Sequence, residues 1–504
     1  MPENVTVIGG GLAGMASAIR LAGEDYNVTI IEKGERLGGK LNQRTGKGYI
    51  FDTGPSILTL PWVLEELFEA VGKDVHDYLD IQRIEPGWRT FFEDGTTIDL
   101  TSDLPKMLEE LKKVSEDDAS RFFEYLDYCH KMYDLSMKSF YRDSISGVSD
   151  LRANHSLKEM WAMDPFHSLN QTTERFFKDK HLQQMFNFLI MYIGSSPYDA
   201  PAMLSQMTHV QLGVGVFYVQ GGMYKIAEAM ESVLEELGVE IRLETEVEKV
   251  VTKKKQVKEV HLAGGDVLTP DLVVSNLEVI PFYEHLLESK KLRKKALADR
   301  KKFEPTVSGL VLLLGVDSNY DKLGHHNFFF SEDQEKEFQQ VFKEKKPADD
   351  PTVYVGISSK SDSSQAPPGK ENMFVLTHVP ALQKGEDWNK NFSGYRDVVL
   401  SKLERMGMTG LRDRIEYEYT FTPNDIESLY GSNGGSIYGV VTDRKLNGGF
   451  KMDTKSSVVD NLYFVGGATH PGGGVPMVTL SGHMAANAIL EKHGSPKKSC
   501  KILR

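Results

Sequence analysis

Hydrophobic and polar positions alternate in blocks that predict a strand, a helix and a second strand at the start of the chain. Val5 to Ile8 is a short apolar run bounded by glycine, the pattern of a buried strand. Met15 to Ala22 carries apolar residues at helical spacing, and Val28 to Ile31 is a second apolar run ending in Glu32. Further on, 49–52 reads as a strand, and 58–71 as a helix stopped by Gly72. Residues 87–100 read as a hairpin turning on Asp94-Gly95. A helical period dominates 101–212. Strands are predicted near 238–251, 257–262, 271–276, 307–315, 349–356, 373–380 and 461–465, with helices over 224–237, 393–406 and 479–490 and a helix start at 422–427. The fold class is therefore α/β.

The first strand–helix junction carries chemistry. Gly9, Gly11 and Gly14, with Leu12 and Ala13 between, fit G-x-G-x-x-G. In a βαβ unit the first glycine permits the tight turn and the second lets the backbone approach a pyrophosphate. The third allows close packing of helix on strand. The pyrophosphate lies on the helix N-terminus, where free N–H groups and the dipole favour negative charge. Glu32, eighteen residues after Gly14, stands where an acid accepts hydrogen bonds from a ribose. A Gly-rich turn that binds nothing is the bland alternative, and the flanking strand and helix speak against it. Gly213-Val-Gly215 fails the same pattern, with Tyr218 at the third position, so no second dinucleotide site is expected.

Near the C-terminus a predicted strand delivers Gly466, Gly467, His470-Pro471 and Gly472 to Gly474 into Val475, Pro476, Met477 and Val478, followed by a helix. A glycine loop before a helix N-terminus keeps side chains off a planar ring and stabilises an electron-rich edge. His470 is the one titratable side chain nominated near such a ring; a solvent-exposed loop histidine is the open alternative.

Size and charge narrow the class. The 504 residues allow two or three domains, and 40% hydrophobic with 26% charged residues is globular. A net charge of −13 argues against nucleic acid as a partner. Two cysteines, Cys129 and Cys500, make no disulfide framework, and Cys500 is misplaced for prenylation, so a reducing cytoplasm is expected. No signal peptide and no membrane-spanning run of eighteen apolar residues is read. The Met and aromatic stripe from Phe176 to Ile193 suits a core, a lining for a long apolar ligand, or a face dipping into lipid. Trp88, Phe91 and Phe92 suit core or pocket wall. Residues 290–302 hold eight basic residues and one acid, a solvated face or a contact for anionic headgroups. His325-His326 gives no metal-ligand spacing, since neighbours on a strand point to opposite faces; no metal is expected.

Several stretches together resemble the bacterial carotenoid desaturase and oxidase family of FAD enzymes. They are the N-terminal fingerprint, Arg36-Leu-Gly38-Gly39-Lys40, Gly54-Pro55-Ser56 and Gly466 to Val478. Asp52 to Thr59, Gly194 to Ala202, His325 to Phe330, Ser436 to Val441 and Pro471 to Gly482 look closest to its terminal-methyl oxidase branch. One departure is Lys40, where many relatives carry Arg, so a phosphate would meet a point charge and not a fork.

The resemblance implies a Rossmann-like FAD domain assembled from 1–75, 218–290 and 440–495. It also implies a mixed-sheet substrate domain from 76–100 and 303–439 and a helical, membrane-facing cap from 101–217. FAD contacts would come from Gly9, Gly11 to Gly14, Glu32, Lys33, Gly38 to Lys40, Gly54 to Ser56, Val247 on the adenine side, Gly466, Gly467 and Gly474 to Val478. The implied reaction is oxidation of a terminal methyl of a C30 carotenoid to an aldehyde, with dioxygen or a quinone as electron acceptor. A desaturase of the same pathway and a flavin-dependent isomerase without net redox stay as alternatives. An amine oxidase is disfavoured by the apolar cap. The implied location is the cytoplasm, peripherally on the inner face of the cell membrane.

Overall fold

The computed structural model describes residues 4–390 and 392–495; Cys500 lies outside them. A five-stranded parallel sheet has the order Leu462–Phe464, Leu272–Ser275, Asn4–Ile8, Asn27–Ile31, Glu240–Arg242. Ile8 pairs with both Ile31 and Ser275, and Ser275 with Phe464. This register brings four carboxyl ends to one edge, so Gly9, Glu32, Asn276 and Val465 leave the sheet together. That edge is where open parallel sheets bind ligands. The helices Leu12–Ala22 and Val475–His493 cover one face. Their approach is close enough that a Cβ on Gly482 would lie 2.2 Å from the Ala13 carbonyl.

A seven-stranded mixed sheet has the order Ile415–Phe421, Ser308–Val316, Glu371–Val379, Val353–Gly356, His326–Phe329, Trp88–Phe91, Thr97–Leu100. The pairing of His326–Phe329 with Trp88–Phe91 is parallel and the others antiparallel. Ser308–Val316 is buried at every position, as its near-continuous apolar run requires. Helices between 104 and 209, among them Phe122–Met137, Leu169–Phe176 and Lys180–Phe188, roof this sheet. Among the described residues no helix is long and apolar enough to cross a membrane.

Three predicted elements shift, each for a local reason. The helix expected over 58–71 is Trp62–Glu69. Leu58 instead exchanges backbone hydrogen bonds with Phe217, Leu60 has φ +49, and Pro61 leads the helix in. The C-terminal helix begins at Val475, four residues before the expected start, with Pro476 in its first turn, where its missing N–H costs nothing. The 176–193 stripe is not one helix. Asp179 caps Lys180–Phe188 by accepting the His181 and Leu182 N–H groups, and Leu189–Ile193 tightens into a 3-10 turn ending on Gly194 at φ +65.

Candidate flavin site and substrate cavity

A cavity of about 1370 Å³ runs from the carboxyl edge of the parallel sheet to the seven-stranded sheet and out beneath the helical cap. Gly9 turns the chain at φ +94, and Gly11 sits at the N-terminus of Leu12–Ala22 with no side chain of its own to cap it. Gly474 does the same for Val475–His493 at φ +104. Two helix N-termini thus face one cavity, each suited to an electron-rich ligand, the Gly14 N–H of the first being held by Asn276 Oδ1. Leu12, Ala13, Gly38, Gly39, Gly466, Gly467, Val475, Pro476, Met477 and Val478 line the same space. Gly14 does not: its Cβ would lie 2.3 Å from the Gly9 carbonyl, so it serves helix–strand packing and not ligand contact. Gly54 is pressed onto the Lys40 carbonyl, where a Cβ would fall at 1.8 Å. These approaches leave a backbone-walled cradle that fits a flat, phosphate-bearing cofactor.

The polar groups of the cradle are already ordered. Glu32 accepts the Gly10 N–H and the Gly34 N–H, each at 2.7 Å, so its carboxylate is fixed in the cavity wall. Val247 lies beside it, because the Thr245 N–H donates to the Glu32 carbonyl at 2.9 Å. Lys33 donates to the Ser428 carbonyl at 3.0 Å. Lys40 donates to the Ser436 carbonyl at 2.8 Å and stands 3.7 Å from the Glu278 carboxylate. Burial lowers the Lys40 pKa while Glu278 raises it; burial raises that of Glu278 while Lys40 lowers it. Lys40 is therefore held as half of an internal pair, not as a free cation. Asn276 joins the two glycine loops: its Oδ1 accepts the Gly14 N–H at 3.1 Å and its Nδ2 donates to the Val465 carbonyl at 3.4 Å.

At the other end of the cradle, Ser56 Oγ lies 2.8 Å from the Tyr354 hydroxyl, which lies 2.8 Å from His326 Nδ1. His325 precedes its strand and so is not forced to the opposite face; the His325 and His326 rings lie 4.2 Å apart, both neutral through burial. His470 is buried, which removes the solvent-exposed alternative. Its Nε2–H donates to the Phe140 carbonyl at 2.8 Å, and burial pushes its pKa down to about 4. That nitrogen is committed, so His470 is a weaker proton carrier than its position in the loop implied. Tyr438 packs its backbone on the loop, with its Cα 2.9 Å from where a Cβ on Gly473 would be.

Beyond Tyr438 the cavity turns apolar and aromatic. Phe188, Met191, Tyr192 and Ile193 line it, whereas Met185 and Phe186 of the same stripe pack into the core. Trp88 also lines it, stacked on Phe328 at 4.6 Å. Phe91 and Phe92 instead stack on Phe329 and Phe330. The outer rim is formed by Val148–Asn154, Leu157–Ala162 and Phe166. There Leu157, Trp161 and Phe166 are 67%, 69% and 68% exposed while still facing the cavity. Sequence reasoning missed Asn276, Glu278, Tyr354 and His378. Each owes its place to pairings across hundreds of residues; only the end of the 271–276 strand pointed to one of them.

This architecture, a parallel dinucleotide-binding sheet joined to a mixed sheet over a shared deep cavity, is that of a flavin-dependent oxidoreductase. Residues 12–490 match the flavin containing amine oxidoreductase family, and the chain belongs to it. Its cofactor is FAD. The chain is 46% identical over 490 residues to a 4,4'-diapolycopene oxygenase of Methylomonas sp, covering 97% of this chain and 98% of that one. It is 41% identical over 499 residues to a 4,4'-diaponeurosporene oxygenase of Staphylococcus aureus, covering 99% and 100%. An oxidoreductase from Methanosarcina mazei shares the fold at TM-score 0.64 and 18% identity over 97% of this chain and 100% of that one.

Proposed function

We propose that this flavoenzyme oxidises a terminal methyl group of a C30 carotenoid to an aldehyde. The observation that carries the reading is the continuity of one cavity, glycine-walled at the cofactor end and aromatic and apolar toward the cap. An amine substrate would need polar anchoring along that route; a polyene needs length and apolar walls. The identity to the two oxygenases over nearly the whole chain supports the same substrate class.

The net change is balanced by dioxygen alone: R–CH3 + O2 gives R–CHO + H2O. Carbon loses two hydrogens and gains one oxygen, and the second oxygen leaves as water. No external reductant is required, which accords with a single dinucleotide fingerprint. A quinone would serve as acceptor only for a desaturation, where hydrogens leave and no oxygen enters. FAD, when bound, supplies the redox chemistry. The chain holds it through the helix N-termini at Gly11 and Gly474, the fixed Glu32 and the loops at Gly38 to Lys40, Gly54 to Ser56 and Gly466 to Val478. The aromatic chamber orients the polyene end against that site and excludes bulk water.

A polyene dissolved in lipid must enter from a membrane. The exposed Leu157, Trp161 and Phe166 at the rim support peripheral attachment to the inner face of the cell membrane, the short helices lying in the interface. The basic helix Lys290–Ala296, which rests on a core through Leu292 and Ala296 and has no fully buried residue, suits anionic headgroups, and Arg300 of the same segment pairs with Glu284 of the cavity wall.

Expression in two carotenoid-free hosts tests the reading. A host making the C30 hydrocarbon pigment should gain an aldehyde pigment, and a host making only the colourless C30 precursor should stay colourless. Colour in the second host would overturn the oxidase reading in favour of a desaturase.

A further inference from the structure

The aromatic chamber carries few polar atoms; the Tyr354 hydroxyl is paired with Ser56 and His326, and others are left open. The Tyr192 hydroxyl is buried with only the Gln211 amide near it and no well-formed hydrogen bond, and Nε2 of His378, a residue only 8% exposed, is buried without one. Both residues line the cavity. Neighbouring Gln211 gives its Oε1 to Trp88 Nε1 at 2.8 Å, and its own Nε2 is also unpartnered. A chamber built only for a hydrocarbon end would leave these groups desolvated at every stage, a cost that buried polar groups ordinarily avoid.

Both side chains stand close to Tyr438. The His378 ring lies 6.2 Å from the Tyr438 ring, and Tyr438 packs on Gly473 of the flavin loop. The Tyr192 ring lies 5.3 Å from Trp88, which is 6.1 Å from Tyr354, the partner of Ser56. The two unpartnered atoms therefore sit on cavity walls that meet the two cofactor loops. Burial keeps the His378 imidazole neutral, with its pKa near 3, and the Tyr192 hydroxyl protonated. A hydroxyl proton can be donated to an alcohol or carbonyl oxygen, and a neutral imidazole nitrogen can donate or accept.

Resting on the proposed function, we infer that Tyr192 and His378 hydrogen-bond the oxygen of an already oxygenated polyene end. The site thus prefers the hydroxymethyl intermediate over the methyl substrate. Once the first oxygen is installed, the alcohol is held for the second oxidation and is not released. The methyl group finds apolar walls but no polar contact, so the preference arises only after the first step.

The test is a binding titration of the FAD-loaded protein with three C30 polyenes of one chain length, ending in methyl, hydroxymethyl and formyl. Quenching of tryptophan fluorescence, with Trp88 in the wall, reports binding. The wild-type protein should bind the alcohol and the aldehyde about tenfold or more tighter than the hydrocarbon, the scale of one buried hydrogen bond. Tyr192→Phe, which removes one oxygen, and His378→Leu should each cut that ratio several-fold. In turnover both variants should make aldehyde several-fold more slowly, because an alcohol that escapes does not return the two electrons that the first oxygenation consumes. Equal binding of all three polyenes by the wild type, or a ratio untouched in both variants, would overturn the inference alone. Failure of all three to bind would overturn it together with the carotenoid reading.

Discussion

The Ser56 hydroxyl and the Tyr354 hydroxyl lie 2.8 Å apart, joining the Gly54–Ser56 turn at the cofactor cradle to the centre of the seven-stranded sheet. Tyr354 also meets His326 Nδ1 at 2.8 Å, so one phenol organises both a loop and a buried imidazole whose Nε2 has no partner. Replacing Tyr354 by Phe leaves two buried polar atoms without this partner. The expected loss is about 1–3 kcal/mol of stability, read as a lower thermal midpoint of the FAD-loaded protein. An unchanged midpoint would show that the linkage carries no load.

Gly11 is where the backbone must stay bare. A Cβ there would lie 2.6 Å from Asn276 Oδ1, the atom that fixes the Gly14 N–H. Gly11→Val should displace Asn276 and crowd the helix N-terminus that Asn276 helps to cap. The purified variant should lose most of its flavin absorbance at unchanged secondary structure by circular dichroism. Full retention of FAD would remove Gly11 from the binding site.

Buried neutral histidines make the protein acid-labile in a defined window. His470 has a folded pKa of about 4 against 6.5 when free, through burial first, with the Phe140 hydrogen bond and Asp150 opposing it. The sign follows from proton counts. Between pH 6.5 and 4 the unfolded chain binds a proton that the folded one refuses, so stability falls as pH falls and levels off below 4. That shift alone is worth about 3 kcal/mol. His325 and His378, both pushed to about 3, extend the decline to lower pH. Thermal midpoints measured from pH 7 to 4 should fall steadily, and a flat profile would contradict the burial of these rings.

The rim of the cavity should control attachment. Leu157→Glu with Trp161→Glu places two charges on a face that is exposed and apolar. Flotation with anionic liposomes should recover the wild-type protein with the vesicles and leave the double variant in the soluble fraction, with its FAD absorbance intact. Equal flotation would move the membrane contact elsewhere, the Lys290–Ala296 helix being the next surface to change.

The cofactor end was legible in the sequence because its signals are local. Gly9, Gly11 and Gly14 sit within six residues, and Glu32 and Gly38 to Lys40 follow at once, so periodicity and spacing suffice. The substrate end was not. Tyr192 and His378 line one cavity only because the cap folds onto the sheet, and neither has a sequence neighbour that announces it. The 176–193 stripe shows the same limit: one apolar run supplies core through Met185 and Phe186 and cavity wall through Phe188 and Tyr192, and only the break at Asp179 and the tightening after Phe188 decide which. Lys40 read as a phosphate contact, and its pairing with Glu278, 238 residues away in sequence, had no local signal.

The most direct test of the central claim is mass analysis of the product made by the purified, FAD-loaded protein from a C30 hydrocarbon polyene in liposomes under dioxygen. The account predicts a product that has gained one oxygen and lost two hydrogens, and that forms an oxime with hydroxylamine. Loss of hydrogens without gain of oxygen, or a product of unchanged mass, would contradict it and assign the chain to desaturation or isomerisation.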